Sequence, residues 1–264
     1  LLGDSLARIA WHKAGIIKPG SHAISLPQAP TVLDELQREA DAQGASLISL
    51  TDADMGQWLA DRPDGQLLRL PTYGELPLPL LGRYQIENAT LAIRALELLR
   101  DNSGALPAEY RETIRRGLSA VRWLGRVQQL DDAPAIYVDG AITLRSAQSF
   151  LASVAARLSQ PVISIVGIPR DRDYGGVYRV MATVSRALII TETDINPNTR
   201  FPARETALAA AAGLTGEVYH RADLSGALAL ARSLAGESGT ILLAVSLMLV
   251  GECMLIWDVD TTAI

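Results

Sequence analysis

Apolar positions along this chain fall into two alternating rhythms. Short unbroken runs such as "PVISIVGI" (161–168) and "TILLAVS" (240–246) have the length of strands buried on both faces. Segments such as "LSGALALARSLA" (224–235) repeat their apolar residues at helical spacing. The first part reads as strand "SHAISL", helix "APTVLDELQREADAQGA" with Gly44 as its stop, and strand "SLISL". Such a β-α-β unit implies a parallel pair joined by a right-handed crossover. From Leu67 to Leu81, prolines and alternating leucines predict short antiparallel pieces, followed by a helix over "IENATLAIRALELLR". A loop from Asn102 and a helix "AEYRETIRRGLSAV" lead to "WLGR", where the pattern breaks and a domain boundary is expected near residue 122.

Beyond that point a second alternation is complete. Strands are predicted at "AIYVDG", "PVISIVGI", "ALIITET", "EVYH" and "TILLAVS", with helices between them and a closing helix "LMLVGECMLIW". The pattern is that of a doubly wound, mostly parallel sheet. Ligands gather at the carboxyl ends of strands in such sheets. Four of these ends are polar or glycine-bearing: "VDG" (138–140), "GIPRDRD" (167–173), "TETD" (191–194) and "VS" (245–246), all expected on one rim.

Composition narrows the function classes. The 264 residues are 48% hydrophobic and 20% charged, enough for two modest domains with buried cores. A formal net charge of -5 argues against a general nucleic-acid binder. One cysteine, Cys253, excludes an internal disulfide framework, and its neighbours Met254, Leu255 and Ile256 mark it as a small buried hydrophobe rather than a reactive thiol. No run is long and apolar enough to span a bilayer, and no signal peptide is evident, so no membrane association and a cytoplasmic location are expected. Leu1 is not an initiator residue and a helical pattern starts at once, so the sequence is expected to begin inside a domain.

Lysine usage singles out one stretch. In "WHKAGIIKPG" (11–20) stand Lys13 and Lys18, and every other basic residue of the chain is arginine. Lys18, beside Pro19-Gly20, reads as a residue solvating a turn. Lys13 lies among Ile9, Ala10, Trp11, Ala14, Ile16 and Ile17, which are expected to bury much of its stem. A desolvated lysine loses its proton readily and can be modified, which arginine cannot.

"LLGDSLARIAWHKAGIIKPG" resembles the pattern L-G-x-T-x-x-x-I-A-x-E-K-A-G-I-x-K of the folylpolyglutamate synthase and dihydrofolate synthase family, within the Mur ligase superfamily. The resemblance continues in order. "GRYQIENATLAIRALELL" is similar to G-x-x-Q-x-x-N-A-x-x-A-x-x-A-L-E-x-L, "WLGRVQQL" to W-x-G-R-x-E, and "VDGAITLRSA" to D-G-A-H-N-P-x-A-A. "VGIPRDRD" is similar to G-x-x-x-D-K-D, and "VSLMLVGECM" to G-S-L-Y-L-V-G-E-V. The fold class this implies is α/β: part of a P-loop-type ATPase domain over residues 1–122, then a complete Rossmann-like, mostly parallel glutamate-ligase domain over residues 123–264.

The resemblance also implies an ATP-dependent amide ligase. A folate or pteroate carboxylate would be phosphorylated by ATP with Mg2+, and the amine of L-glutamate would attack the acyl phosphate. Lys13 matches the lysine that the family carbamylates to help hold magnesium. Asn88 would contact adenine with Gln85, Arg126 the phosphates, and Asp139 the ribose, while Asp171, Asp173 and Ser246 would border the substrate. The plainer readings are that Gln85 and Asn88 cap a helix start, that Arg126 is a solvated linker charge, and that Asp139 turns the chain with Gly140. Glu252 reads as structural.

Departures from the family fall on polar positions. Ile142, Thr143 and Leu144 replace the H-N-P of the fourth motif, and isoleucine neither donates a hydrogen bond nor carries charge. His12, Arg172, Val245 and Met248 replace a glutamate, a lysine, a glycine and a tyrosine. No G-x-x-x-x-G-K-[ST] occurs, so the given chain alone is not expected to turn over ATP. Two alternatives stand beside the folate ligase: a catalytically degenerate homologue acting as a binding or scaffold subunit with a protein partner, and a Mur-type cell-wall peptide ligase.

Overall fold

The computed structural model describes residues 5–99 and 108–261. The start of the loop expected from Asn102 lies outside them. The chain divides into two compact units, Leu1–Pro79 with Arg83–Val121, and Leu80–Gly82 with Arg122–Ile264.

In the first unit, Ser5 caps helix α1 (Leu6–Ala14) by accepting the Arg8 amide. Ala10 and Ala14, one turn apart, form its buried face. Lys18 Nζ donates to the Gly15 carbonyl at 2.8 Å, a cation on the carbonyl end of the helix, so the turn reading of this lysine holds. Strand β1 (His22–Ser25), helix α2 (Pro30–Ala42) and strand β2 (Ser46–Ser49) follow, with β1 and β2 parallel as the sequence predicts. Pro30 opens α2, where its missing N–H costs nothing. Strands β3 (Gln57–Arg62), β4 (Gly65–Leu70) and β5 (Gly74–Leu78) form an antiparallel meander. The meander begins well before Leu67, because β3 is an almost wholly exposed edge strand whose residues show no apolar alternation. Helix α3 (Tyr84–Leu99) buries Gln85, Ile86, Ala89, Thr90 and Ile93. Thr90 ties it to the meander by accepting the Gly56 amide at 3.1 Å, and a Cβ on Gly56 would collide with Ile86. Helix α4 (Ala108–Ala120) completes the unit.

The second unit is built on a six-stranded sheet. Its strands are β6 (Gln128–Asp132), β7 (Ala135–Asp139), β8 (Val162–Gly167), β9 (Ala187–Thr191), β10 (Glu217–Arg221) and β11 (Thr240–Val245), in the spatial order β10-β9-β8-β11-β7-β6. All neighbours are parallel except β6, which pairs antiparallel with β7. The mostly parallel sheet matches the sequence expectation. β6 was not foreseen: its two-residue connection through Ala133-Pro134 makes a hairpin, but its mixed Gln-Asp composition hides it.

Helices α5 (Leu144–Val154), α6 (Tyr174–Ala182) and α7 (Arg204–Ala211) carry the chain one way across the sheet, and α8 (Leu224–Ala235) brings it back to β11. Right-handed crossovers then place α5 to α7 on one face and α8 on the other. Leu224, Ala227, Leu228 and Ala231 of α8 share a buried cluster with Ile136, Ile163, Ile189 and Leu243 of the sheet. Helix α9 (Leu247–Ile256) adds Leu249, Val250, Cys253 and Met254 to the same cluster. Burial pushes the Cys253 thiol up to about 12, which leaves it inert, as expected. Among the described residues no helix is long and apolar enough to cross a membrane.

Candidate functional site

Because β7, β8, β9 and β11 are parallel and in register, their carboxyl ends share one rim. Ala244 pairs with Asp139, Val245 with Gly167, and Val166 with Ile190. The four strand ends expected on one rim are therefore together.

The best-defined part of that rim joins "WLGRVQ" to the end of β7. The Gly125 amide donates to Gln128 Oε1 (2.8 Å), the Gly140 amide to the Gly125 carbonyl (3.0 Å), and the Val127 amide to Asp139 Oδ2 (2.9 Å). Gly125 has φ +67°, and a Cβ there would lie 2.2 Å from Val250 Cγ1, so only glycine fits. Asp139 is 6% exposed. Burial pushes its carboxyl up to about 6, against the opposing pull of the Val127 amide and the Arg126 guanidinium. Asp139 thus does more than turn the chain.

The Arg126 side chain is half-buried and lies against Gly140, where a Cβ would stand 2.5 Å from Nη1. It is not a solvated linker charge. Among the described residues no hydrogen bond or ion pair occupies this guanidinium. The rim therefore offers a positioned cation beside a carboxylate that has one oxygen committed to the backbone.

Ser246 follows β11 on the same rim. Its amide donates to the Gly167 carbonyl (2.9 Å), and its hydroxyl, 1% exposed, has no partner among the described residues. The buried Thr191 hydroxyl at the end of β9 is likewise unpaired; the sequence reading passed over it because a threonine ending an apolar run carries no signal. Asp173 is spent on structure, accepting the Gly176 amide at 2.8 Å as the cap of α6. Asp171 is exposed, 3.8 Å from Arg172 Nε. Thr143 and Ser146 form a reciprocal capping box at the start of α5, which gives the first of the departures a local role.

The remaining sequence candidates belong to the first unit. Asn88 Nδ2 donates to Gln85 Oε1 at 2.9 Å, so the two bond each other inside α3. Gln85 is 1% exposed and its Nε2 is buried without a partner among the described residues. Lys13 corrects the expectation of a buried stem: it is exposed, because α1 buries Ala10 and Ala14 and turns Lys13 off that face. Among the described residues there is no group of three or more His, Cys, Asp or Glu side chains able to hold a metal ion.

Residues 125–247 match the family described as Mur ligase, glutamate ligase domain. The dihydrofolate synthase/folylpolyglutamate synthase of Bacillus subtilis is 28% identical over 199 residues, 74% of this chain and 46% of the relative. The folylpolyglutamate synthase of Lacticaseibacillus casei is 30% identical over 209 residues, covering 72% of this chain and 45% of the relative. This chain belongs to the folylpolyglutamate synthase family. It spans about half the length of the curated relatives it matches. In fold it is similar to Mycobacterium tuberculosis folylpolyglutamate synthase complexed with ADP, with a TM-score of 0.82 and 24% identity over 98% of this chain and 61% of that one. The matched span begins at Gly125 and takes in the whole rim, Arg126 and Asp139 included.

Proposed function

We propose that this chain supplies part of an ATP-dependent ligase that joins L-glutamate to a folate or pteroate carboxylate through an acyl phosphate. Residues 1–122 are read as part of the ATP-binding domain and 123–264 as the glutamate-ligase domain. One observation carries the proposal: the Arg126 guanidinium, which no described residue hydrogen-bonds, held against Gly140 beside a buried carboxylate, Asp139, on the carboxyl-end rim of a domain that matches the glutamate ligase family.

These residues fit an adenine nucleotide. Arg126 offers planar donors and a permanent charge to phosphate oxygens. The free oxygen of Asp139 suits a sugar hydroxyl. Within the first unit taken by itself, Gln85 Nε2, which no described residue pairs, and Asn88 have the donor and acceptor groups for a purine edge, the role that the family resemblance gives them. Bound ATP supplies the phosphoryl group that activates the carboxylate. Arg126 then stabilises charge that develops on phosphoryl oxygens, where fixed donors act without reorganisation. Ser246, with its unpaired hydroxyl, is assigned to the substrate, together with exposed Asp171; Asp173 contributes through the α6 start it caps. The described residues do not make a magnesium site, so no step is derived through the metal.

Lys13 is proposed to react with carbon dioxide: the ammonium first loses one proton, the neutral amine then forms the N–C bond of a carbamate and loses a second, so that +1 becomes -1 with two protons released. Its exposure leaves the amine reachable, and carbamylation depends on bicarbonate supply.

The test is incorporation of labelled glutamate into dihydropteroate and tetrahydrofolate by the natural full-length protein, with ATP, magnesium and bicarbonate. Arg126→Ala and Lys13→Ala are the comparisons. Loss of incorporation in both supports the reading. No incorporation by a folded protein favours the scaffold reading, for which the departures speak: Ile142 carries no polar group and Thr143 is spent capping α5. Incorporation only into a cell-wall peptide precursor would favour the Mur-type ligase.

A further inference from the structure

The backbone between Gly125 and Gln128 leaves ordinary conformation twice, at Gly125 (φ +67°) and at Val127 (φ +47°). Glycine adopts such angles freely, whereas a β-branched residue there is a strained outlier. Such a residue persists only where its surroundings over-determine it. Val127 is 2% exposed, so its side chain is held, and its amide donates to Asp139 Oδ2 at 2.9 Å. The other bonds of the segment run between backbone groups or to Gln128, from Arg126 to the Trp123 carbonyl (3.3 Å), from Gly140 to the Gly125 carbonyl, and from Gly125 to Gln128 Oε1. The Asp139 bond is the one that uses a carboxylate, and a charged acceptor makes the strongest of these bonds.

Asp139 is well placed to act as an anchor. It is the last residue of β7, fixed in register against Ala244 of β11. Arg126 lies between Gly125, whose carbonyl accepts the Gly140 amide, and Val127, whose amide is bound by Asp139. Its backbone is thus flanked by two residues in left-handed conformation, and from there its guanidinium rests against Gly140.

We propose that Asp139 is a positioning residue for Arg126: by accepting the Val127 amide it holds the left-handed turn and so fixes the guanidinium over Gly140. This deepens the assignment of Arg126 as a phosphate-binding cation and rests on that reading for its catalytic consequence, though not for the positioning itself. One oxygen of Asp139 is committed to the backbone, and only the other remains for a ligand.

The experiment follows the Val127 amide and the Arg126 side-chain Nε–H by NMR in the isotope-labelled chain without nucleotide, as pH is varied across the titration of Asp139. Arg126 is the charged group that faces this carboxylate. In the wild type both signals are expected to titrate together, with a midpoint near the value of about 6 to which burial raises Asp139. Asp139→Asn keeps an acceptor oxygen but has no proton to lose, so the coupled titration should vanish while the Val127 amide stays protected. In Asp139→Ala that amide should exchange roughly 10- to 100-fold faster, the loss expected for one hydrogen bond to a charged acceptor.

An amide equally protected in Asp139→Ala, or wild-type signals that do not titrate together, would overturn the proposal. If Asp139→Ala does not fold, the Asp139→Asn comparison still decides. Because these readouts need no nucleotide, failure of the ligase assay leaves them interpretable. In an active full-length enzyme, Asp139→Asn should raise KM for ATP less than Arg126→Ala does.

Discussion

Replacing Gly125 with alanine tests how tightly the linker turn is seated on α9. Two costs add. The left-handed angle disfavours any L side chain by about 1–2 kcal/mol. The new methyl would also stand 2.2 Å from Val250 Cγ1, far inside contact distance. Val250 is 6% exposed and β-branched, so it has few rotamers into which to withdraw, and overpacking of this kind costs about 1–3 kcal/mol. Loss of glycine freedom in the unfolded chain returns about 0.4–1 kcal/mol. The net expectation is a loss of about 1–4 kcal/mol, seen as a fall of about 0.5–2 M in the urea midpoint at a slope of about 2 kcal/mol/M. Tryptophan fluorescence is a suitable probe, since Trp123 is two residues away and Trp257 follows α9. Val250→Ala should cost about 1–3 kcal/mol alone by opening a cavity that the Gly125→Ala methyl would partly fill. The double variant should therefore be more stable than the sum of the singles by at least about 1 kcal/mol. Strict additivity, or a Gly125→Ala midpoint indistinguishable from wild type, would refute the seating inferred here.

Three further outcomes are expected. The Asp139 carboxyl lies above its ordinary value of 3.8, at about 6, so its contribution is fully present below the unfolded value and is lost as pH rises through the folded one. Denaturation midpoints between about pH 4 and pH 7 should therefore fall by an amount equivalent to about 2–3 kcal/mol from this group, and Asp139→Asn should flatten that slope. Gly140→Ala should leave stability nearly unchanged, because the atoms nearest the new Cβ are side-chain ends, Arg126 Nη1 and Leu247 Cδ2, that can give way without moving backbone; the Arg126 side-chain signal should shift as the guanidinium is pushed off its seat. Thr143→Ala removes the cap of α5 and should cost about 1 kcal/mol by thermal or chemical denaturation, with no change at the Val127 amide.

What was legible in the sequence follows from what each pattern encodes. The strands β8 and β11 are buried at every position, so their unbroken apolar runs declare them, and α8 shows its face through Leu224, Ala227, Leu228 and Ala231. Strands β3 and β6 were missed or misplaced because each lies at a sheet edge and buries too little to alternate. Lys13 was misjudged for a related reason: apolar neighbours in sequence are not neighbours on a helix, and Ala10 and Ala14 take the buried face. Motif reading pointed to Arg126 and Asp139, which the fold brings together on one rim, but not to Val127, since nothing in a valine announces a left-handed angle imposed by its surroundings.

Residues that match a family motif do not all bear equally on whether its chemistry persists. Gly125 is required by a positive φ and by the closeness of Val250, and the Asp139 carboxylate by the Val127 amide. Asp173 is kept as the cap of α6. A protein that had lost the reaction and kept the fold would retain all three. The residues that bear on chemistry are those for which the fold has no use: the Arg126 guanidinium, which no described residue binds; Lys13, exposed on α1 with no described partner; and Gln85 Nε2, buried at a cost that no described contact offsets. Thr143 argues the other way, because its hydroxyl has been taken over by the helix it starts. An active enzyme should therefore be sensitive to Arg126 and Lys13 in turnover and insensitive to Lys13 in stability, whereas a retired one should tolerate Lys13→Ala in every respect and lose with Arg126→Ala only the charge that faces Asp139.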